Sequence, residues 1–138
     1  MILADTGPLV ALFDPADNDH QRCVAILERI EEPLCTTVPV LTEAFHLLAP
    51  ASIGAHRLMD FVAAQGLAVW FLDDRALVRA FDLMTQYADR PMDLADASLV
   101  VLAETLELRK VFTIDRSDFS NYRIKRGHRH LPFEIVAS

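Results

Sequence analysis

Residues 2 to 12 read Ile2-Leu3-Ala4-Asp5-Thr6-Gly7-Pro8-Leu9-Val10-Ala11-Leu12, an apolar strand that stops at an acid and passes through a turn into a helix. Thr6 suits the helix cap, and Pro8 suits the first turn, where its missing N–H costs no hydrogen bond. Such a turn aims the Asp5 carboxylate past the end of the strand. In open parallel sheets the functional crevice lies outside the carboxyl ends of the strands, so this stretch predicts an α/β fold with a site near residue 5. Taken alone, Asp5 reads more simply as a second helix cap.

Outward from that stretch, apolar runs alternate with amphipathic ones, the pattern of βαβ units and a parallel sheet. Strands are expected at residues 1 to 4, 34 to 37, 67 to 72, 111 to 114 and 132 to 136. Between them, helices are expected from about 18 to 31, from Pro39 to Pro50, from the Ser52 cap to Gly66, from Asp73-Asp74, and from Asp93 to about Leu106. Residues 1 to 138 read as one domain, long enough to bury a single core without a metal or disulfide staple. No repeat, linker or low-complexity segment interrupts the chain.

The 52% hydrophobic content argues against disorder, and no apolar run approaches the length that spans a bilayer. The first residues read as a strand and not as a basic leader, so a cytoplasmic protein without a membrane partner is expected. Cys23 and Cys35, with no C-x-x-C spacing, read as buried thiols of a reducing compartment. The net charge of −7 excludes a protein that simply coats nucleic acid. Its distribution is uneven, however. Arg116, Arg123, Lys125, Arg126, Arg129, His128 and His130 face only Asp118 between residues 116 and 130, so this basic segment is expected to hold phosphates beside an acidic centre. The competing reading is a solvated loop.

Four acids make that centre. Asp5 ends the first strand, Asp115 follows Val111-Phe112-Thr113-Ile114, and Glu43 and Asp96 fall in the first turns of helices. Acids gathered at one sheet edge repel one another unless a cation joins them, and a hard divalent ion with oxygen ligands, Mg²⁺ or Mn²⁺, is the expected partner. Asp93 lies three positions before Asp96 on the same helix face and reads as the cap. Asp96 leads into a helix apolar nearly all round, where a charge needs a partner. Asp118 is readable as a turn residue, whereas Asp115 at the strand end is the better ligand.

Other chemistries find less support. Glu43 and His46 form an E-x-x-H pair, but a di-iron site needs a matching motif on another helix, and none exists. The four glycines are scattered and build no phosphate loop, and neither cysteine sits in a nucleophile motif. For partners, the apolar content of a small domain suggests that helices near 18 to 31 and 52 to 65 offer surface to a second chain, with a homodimer as the expected form.

The segments from Ile2 to Leu12, Leu41-Thr42-Glu43-Ala44, Pro91-Met92-Asp93-Leu94-Ala95-Asp96-Ala97-Ser98-Leu99-Val100 and Phe112-Thr113-Ile114-Asp115-Arg116-Ser117-Asp118-Phe119 occur in the order and spacing of a PIN domain. The chain resembles the toxin ribonucleases of the VapC type over nearly its whole length. That resemblance implies a three-layer α/β/α fold with a central, mainly parallel sheet, divalent-metal-dependent RNA cleavage leaving 5′-phosphate and 3′-hydroxyl ends, a homodimer, and a cognate antitoxin that inhibits near the active site. By motif, Asp5, Glu43, Asp96 and Asp115 match the acidic quartet, as catalytic and metal-binding residues. Asp93 and Asp118 are possible additions, and Thr6 is placed to orient Asp5 or a water. Arg116, Arg123, Lys125 and Arg126 are the candidate RNA-binding residues. Two alternatives stand beside this reading: a PIN-like binding module without catalysis, and a Mg²⁺-dependent receiver-like or phosphatase-like domain. The latter needs an assisting Lys or a second Asp two residues after the first, a place that Gly7 occupies.

Overall fold

The computed structural model describes residues 1–136. Five strands, β1 (Ile2–Ala4), β2 (Leu34–Thr37), β3 (Ala68–Trp70), β4 (Lys110–Phe112) and β7 (Glu134–Val136), form one wholly parallel sheet in the order β3-β2-β1-β4-β7. Seven helices connect them: α1 (Thr6–Phe13), α2 (His20–Arg29), α3 (Val38–Leu48), α4 (Ile53–Ala63), α5 (Asp74–Gln86), α6 (Leu94–Leu106) and α7 (Arg116–Asn121). The strands β1 and β2 carry no charge because both their faces are covered: every one of their residues is buried, Thr36 and Thr37 included. The chain runs outward from β1 to β3 and then crosses back to β4 and β7. With right-handed crossovers, that reversal puts α1 to α4 on one face and α5 to α7 on the other. Contacts among α1, α2 and α4, and between α5 and α6, follow this division, while α3 reaches both α1 and α6.

The reversal makes β1 and β4 neighbours, with Leu3 beside Val111 and Ala4 beside Phe112. Their carboxyl ends therefore open on the crevice predicted for such a switch in strand order. Helix α6 runs through the core, with Ala95 and every residue from Ala97 to Ala103 buried. This explains its lack of a polar face and commits its N-terminus to the same crevice. Gly7 sits where α1 crosses the end of β4. A Cβ there would meet Ile114 Cγ1 at 2.7 Å, so a larger residue at position 7 would force the Ile114 side chain to move.

Three elements differ from the sequence reading. The basic segment is an antiparallel hairpin, β5 (Arg123–Arg126) and β6 (Arg129–Pro132), turned by Gly127 at φ +62°. Only Ile124 and Leu131 of its strands face inward as an apolar pair, too sparse an alternation to stand out among charges. Helix α1 begins at Thr6, so Asp5 and not Thr6 is its boundary residue. Asp118 lies in the first turn of α7 and does not open a free turn.

Both cysteines are free and buried, and among the described residues no helix is long and apolar enough to cross a membrane. Helix α2 turns Cys23 and Ile26 inward and exposes no large hydrophobic residue, unlike its expected role as a partner surface. Ile53 and Met59 of α4 are exposed, as are Phe71, Val78 and Phe81 on and beside α5.

Candidate active site

The four acids predicted from sequence arrive at one end of the sheet by four routes. Asp5 leaves β1 and is pinned by its N–H, which donates to the Phe112 carbonyl at 3.0 Å. Asp5 is only 7% exposed, and Thr113 Oγ1 donates to Asp5 Oδ2 at 2.8 Å. The same Thr113 oxygen accepts the Asp115 N–H at 2.9 Å, so one hydroxyl joins the ends of β1 and β4. Asp115 then caps α7, with Oδ1 accepting the Asp118 N–H at 3.1 Å.

On the other side, Asp93 caps α6 and accepts the Asp96 N–H at 2.8 Å, as its spacing predicts. Asp96 stands in the first turn of α6, where the Tyr122 hydroxyl donates to Asp96 Oδ2 at 2.9 Å. Glu43 lies in the second turn of α3 and not the first, because Thr37 caps that helix and Val38 begins it. A groove of about 610 Å³ is lined by Glu43 and Asp93 together with Val38, Pro39, Thr42, His46 and Leu94. His46 is exposed there, in keeping with a helix-face position.

The electrostatics bear the mark of crowding. Asp5 has its pKa raised to about 6, first by burial, with repulsion from Asp115 and Glu43 adding to it and hydrogen bonding from the Thr113 hydroxyl and the Thr6 backbone N–H opposing it. Asp96 is raised to about 7, again first by burial, then by Asp93 and Asp5, against the Tyr122 hydrogen bond. Glu43 is raised by burial and by Asp93. Asp118 is raised chiefly by the nearby Asp115 carboxyl, with Arg90 pulling the other way. These mutual effects place Asp93 and Asp118 beside the quartet. The ion pairs among the described residues join other groups: Met1 and Lys110 to Glu32, Arg22 to Asp19, and Arg79 to Glu104.

The Thr6 hydroxyl is near enough to temper the rise at Glu43, yet it is buried and makes no hydrogen bond of acceptable geometry. A buried donor left unpaired costs about 1–3 kcal/mol unless water or another group meets it. An all-oxygen donor set with an orphaned hydroxyl fits a hydrated Mg²⁺ or Mn²⁺, which keeps several of its waters. Among the described residues no three His, Cys, Asp or Glu side chains stand ready to clasp one ion directly.

The candidate RNA-binding residues separate. Arg116 is exposed directly beside Asp115. Arg123 donates through Nη1 to the Ser120 and Tyr122 carbonyls at 2.8 and 2.9 Å, which holds its guanidinium against its own backbone. The Lys125 N–H donates to Glu104 Oε2 at 3.0 Å, and Arg79 binds both Glu104 oxygens, so the hairpin is tied to α6 two turns beyond Asp96. Nε and Nη2 of Arg126 are buried and lack a partner among the described residues. Sequence reasoning missed Thr113 and Tyr122. Thr113 carried a faint signal, two positions before the acid that ends a strand, whereas nothing in the sequence pairs Tyr122 with Asp96.

No family model matches the chain. It is 28% identical over 131 residues to Ribonuclease VapC26 of Mycobacterium tuberculosis, a match covering 93% of this chain and 96% of that one. Among solved structures it resembles Mycobacterium tuberculosis VapC20, described as a Sarcin-Ricin loop cleaving toxin, with a TM-score of 0.78 at 17% identity over 85% of this chain and 92% of that one. It also resembles a chain of the DNA-bound VapBC complex from Salmonella typhimurium, with a TM-score of 0.63 at 17% identity over 99% of this chain and 100% of that one. A toxin-antitoxin complex from Klebsiella pneumoniae contains a further similar chain, with a TM-score of 0.63 at 18% identity over 88% of this chain and 92% of that one.

Proposed function

We propose that this chain, a VapC-like PIN-domain protein, is a divalent-metal-dependent endoribonuclease and the toxin of a toxin–antitoxin pair. The observation that supports the reading is that Asp5, Glu43, Asp96 and Asp115 lie near enough at one end of the sheet to influence one another, with two of the four raised toward neutrality and, among the described residues, no cationic side chain in an ion pair with them. Near-complete alignment with a curated ribonuclease, and a fold shared with toxins of toxin–antitoxin complexes, support the substrate class and the protein partner.

Asp5, Glu43, Asp96 and Asp115 would hold Mg²⁺ or Mn²⁺, with Asp93 and Asp118 completing the acidic rim. When bound, the cation supplies charge neutralisation at the scissile phosphate and acidity to a water. The chain's own groups do the rest. Thr113 orients Asp5 and fixes the Asp115 turn. The unpaired Thr6 hydroxyl is available to orient a water close to Asp5 and Glu43. Arg116 stands beside Asp115 for a backbone phosphate, a contact that positions RNA without reading its bases. None of these steps needs a protein nucleophile.

The test compares metal-stripped chain, the same chain with Mg²⁺ restored, and Asp5→Asn, each on single-stranded RNA and on a phosphomonoester. Cleavage of RNA alone, dependent on Mg²⁺ and lost in Asp5→Asn, is expected. Phosphomonoester hydrolysis would favour the phosphatase-like alternative, and inertness toward both, with RNA still bound, the non-catalytic one.

A further inference from the structure

We propose that Tyr122 is a positioning residue for Asp96, its buried hydroxyl occupying one carboxylate oxygen and leaving the other for the cation. This rests on reading the acidic cluster as a metal site. Tyr122 is 1% exposed, and its hydroxyl donates to Asp96 Oδ2 at 2.9 Å. The ring has little freedom. It stands edge-on to Tyr87 at 5.3 Å and to Phe119 at 5.2 Å, and Phe119 is backed in turn by Phe133 at 5.3 Å. Tyr87 is itself fixed, because its hydroxyl accepts the Arg123 N–H at 3.0 Å.

A phenylalanine would fill this aromatic cluster equally well, so packing does not call for the oxygen. A buried tyrosine hydroxyl needs a partner, and here the partner is a carboxylate in the first turn of α6, not a backbone carbonyl. The arrangement repeats at Asp5, where Thr113 likewise engages Oδ2. On both sides of the crevice a rigid hydroxyl thus holds one oxygen of a carboxylate, the kind of outer support that commonly sets ligand orientation in metal sites.

The test is Tyr122→Phe, with Mn²⁺ binding measured by calorimetry on chain free of RNA, together with Tm, kcat and KM. We expect Mn²⁺ affinity about tenfold weaker, a Tm within a few degrees of the parent, and an unchanged KM for RNA. In the Asp96→Asn background the same change should cost no further Mn²⁺ affinity. Tyr122→Leu, which also loses the ring, should lower Tm clearly while weakening Mn²⁺ no more than Phe does. As a check free of mutation, Mn²⁺ added to the parent chain should perturb its tyrosine near-ultraviolet absorption. Parent-like Mn²⁺ affinity in Tyr122→Phe, full additivity with Asp96→Asn, or an unperturbed tyrosine spectrum would overturn the assignment. A parent chain that binds no Mn²⁺ would overturn the metal reading beneath it as well.

Discussion

Thr113 and Asp5, 108 residues apart, are joined by a hydrogen bond of 2.8 Å that ties the last predicted ligand loop to the first. Because the same hydroxyl also accepts the Asp115 N–H, Thr113→Val should loosen two acids while preserving shape. The expected loss of stability is about 1–3 kcal/mol, the cost of leaving buried polar groups unpaired. RNA cleavage should fall about 10- to 100-fold. Chemical denaturation and initial rates at saturating Mg²⁺ measure the two effects.

Without divalent cations, stability should fall as pH rises from about 4 to 7. Asp5 and Asp96 have folded-state pKa values of about 6 and about 7, both raised above 3.8. The folded chain therefore holds protons that the unfolded chain has released, and the associated stability is full below the unfolded value and lost as pH climbs through the folded ones. Partial solvent screening at Asp96 limits the effect to roughly 2 kcal/mol, or about 5 °C in Tm. Calorimetry in chelator should show the decline, and Asp96→Asn should flatten it. Mg²⁺ should restore stability at pH 8 in the parent far more than in that variant.

Gly7→Ala tests the close approach of the two ligand turns. The added methyl would press on Ile114 Cγ1 at 2.7 Å, and overpacking of this kind costs about 1–3 kcal/mol. Part of the loss should return in the double variant Gly7→Ala with Ile114→Ala, which clears the space. Equal and additive destabilisation by both changes would mean that the turns are not held by this contact.

Positive charge should matter by position and not by count. Arg116 adjoins Asp115, whereas the hairpin is anchored at Glu104, about 12 Å along α6 from Asp96 at 1.5 Å per residue. Arg116→Ala should therefore raise the KM for RNA and flatten its salt dependence by about one phosphate contact. Joint replacement of Arg123, Lys125 and Arg126 should do less to the salt slope. Cleavage rates across a salt series decide, and a larger effect from the hairpin would place the RNA path along β5.

The sheet was legible because β1, β2 and β4 are largely buried on both faces and so appear as short runs with little charge, while α6 announces itself by small and branched apolar residues behind the Asp93 cap. Asp5, Asp96 and Asp115 stood out for a related reason: each sits at a strand end or in a first helical turn, positions that sequence marks well, whereas Glu43 lies in the second turn of α3. What escaped is what depends on distant partners. Thr113 and Tyr122 act through hydrogen bonds to residues 108 and 26 positions away, and no local pattern encodes those. The hairpin escaped because charge dominates its strands, and its guanidinium orientations are decided by carbonyls that composition cannot reveal.

The central claim is that Asp5, Glu43, Asp96 and Asp115 share a cation site, and anomalous scattering from a Mn²⁺-soaked crystal tests it most directly. The account predicts a peak enclosed by these four carboxylates, directly or through bridging waters, that disappears in Asp96→Asn. A fully soaked crystal with no peak there, or with Mn²⁺ bound only elsewhere on the chain, would contradict it.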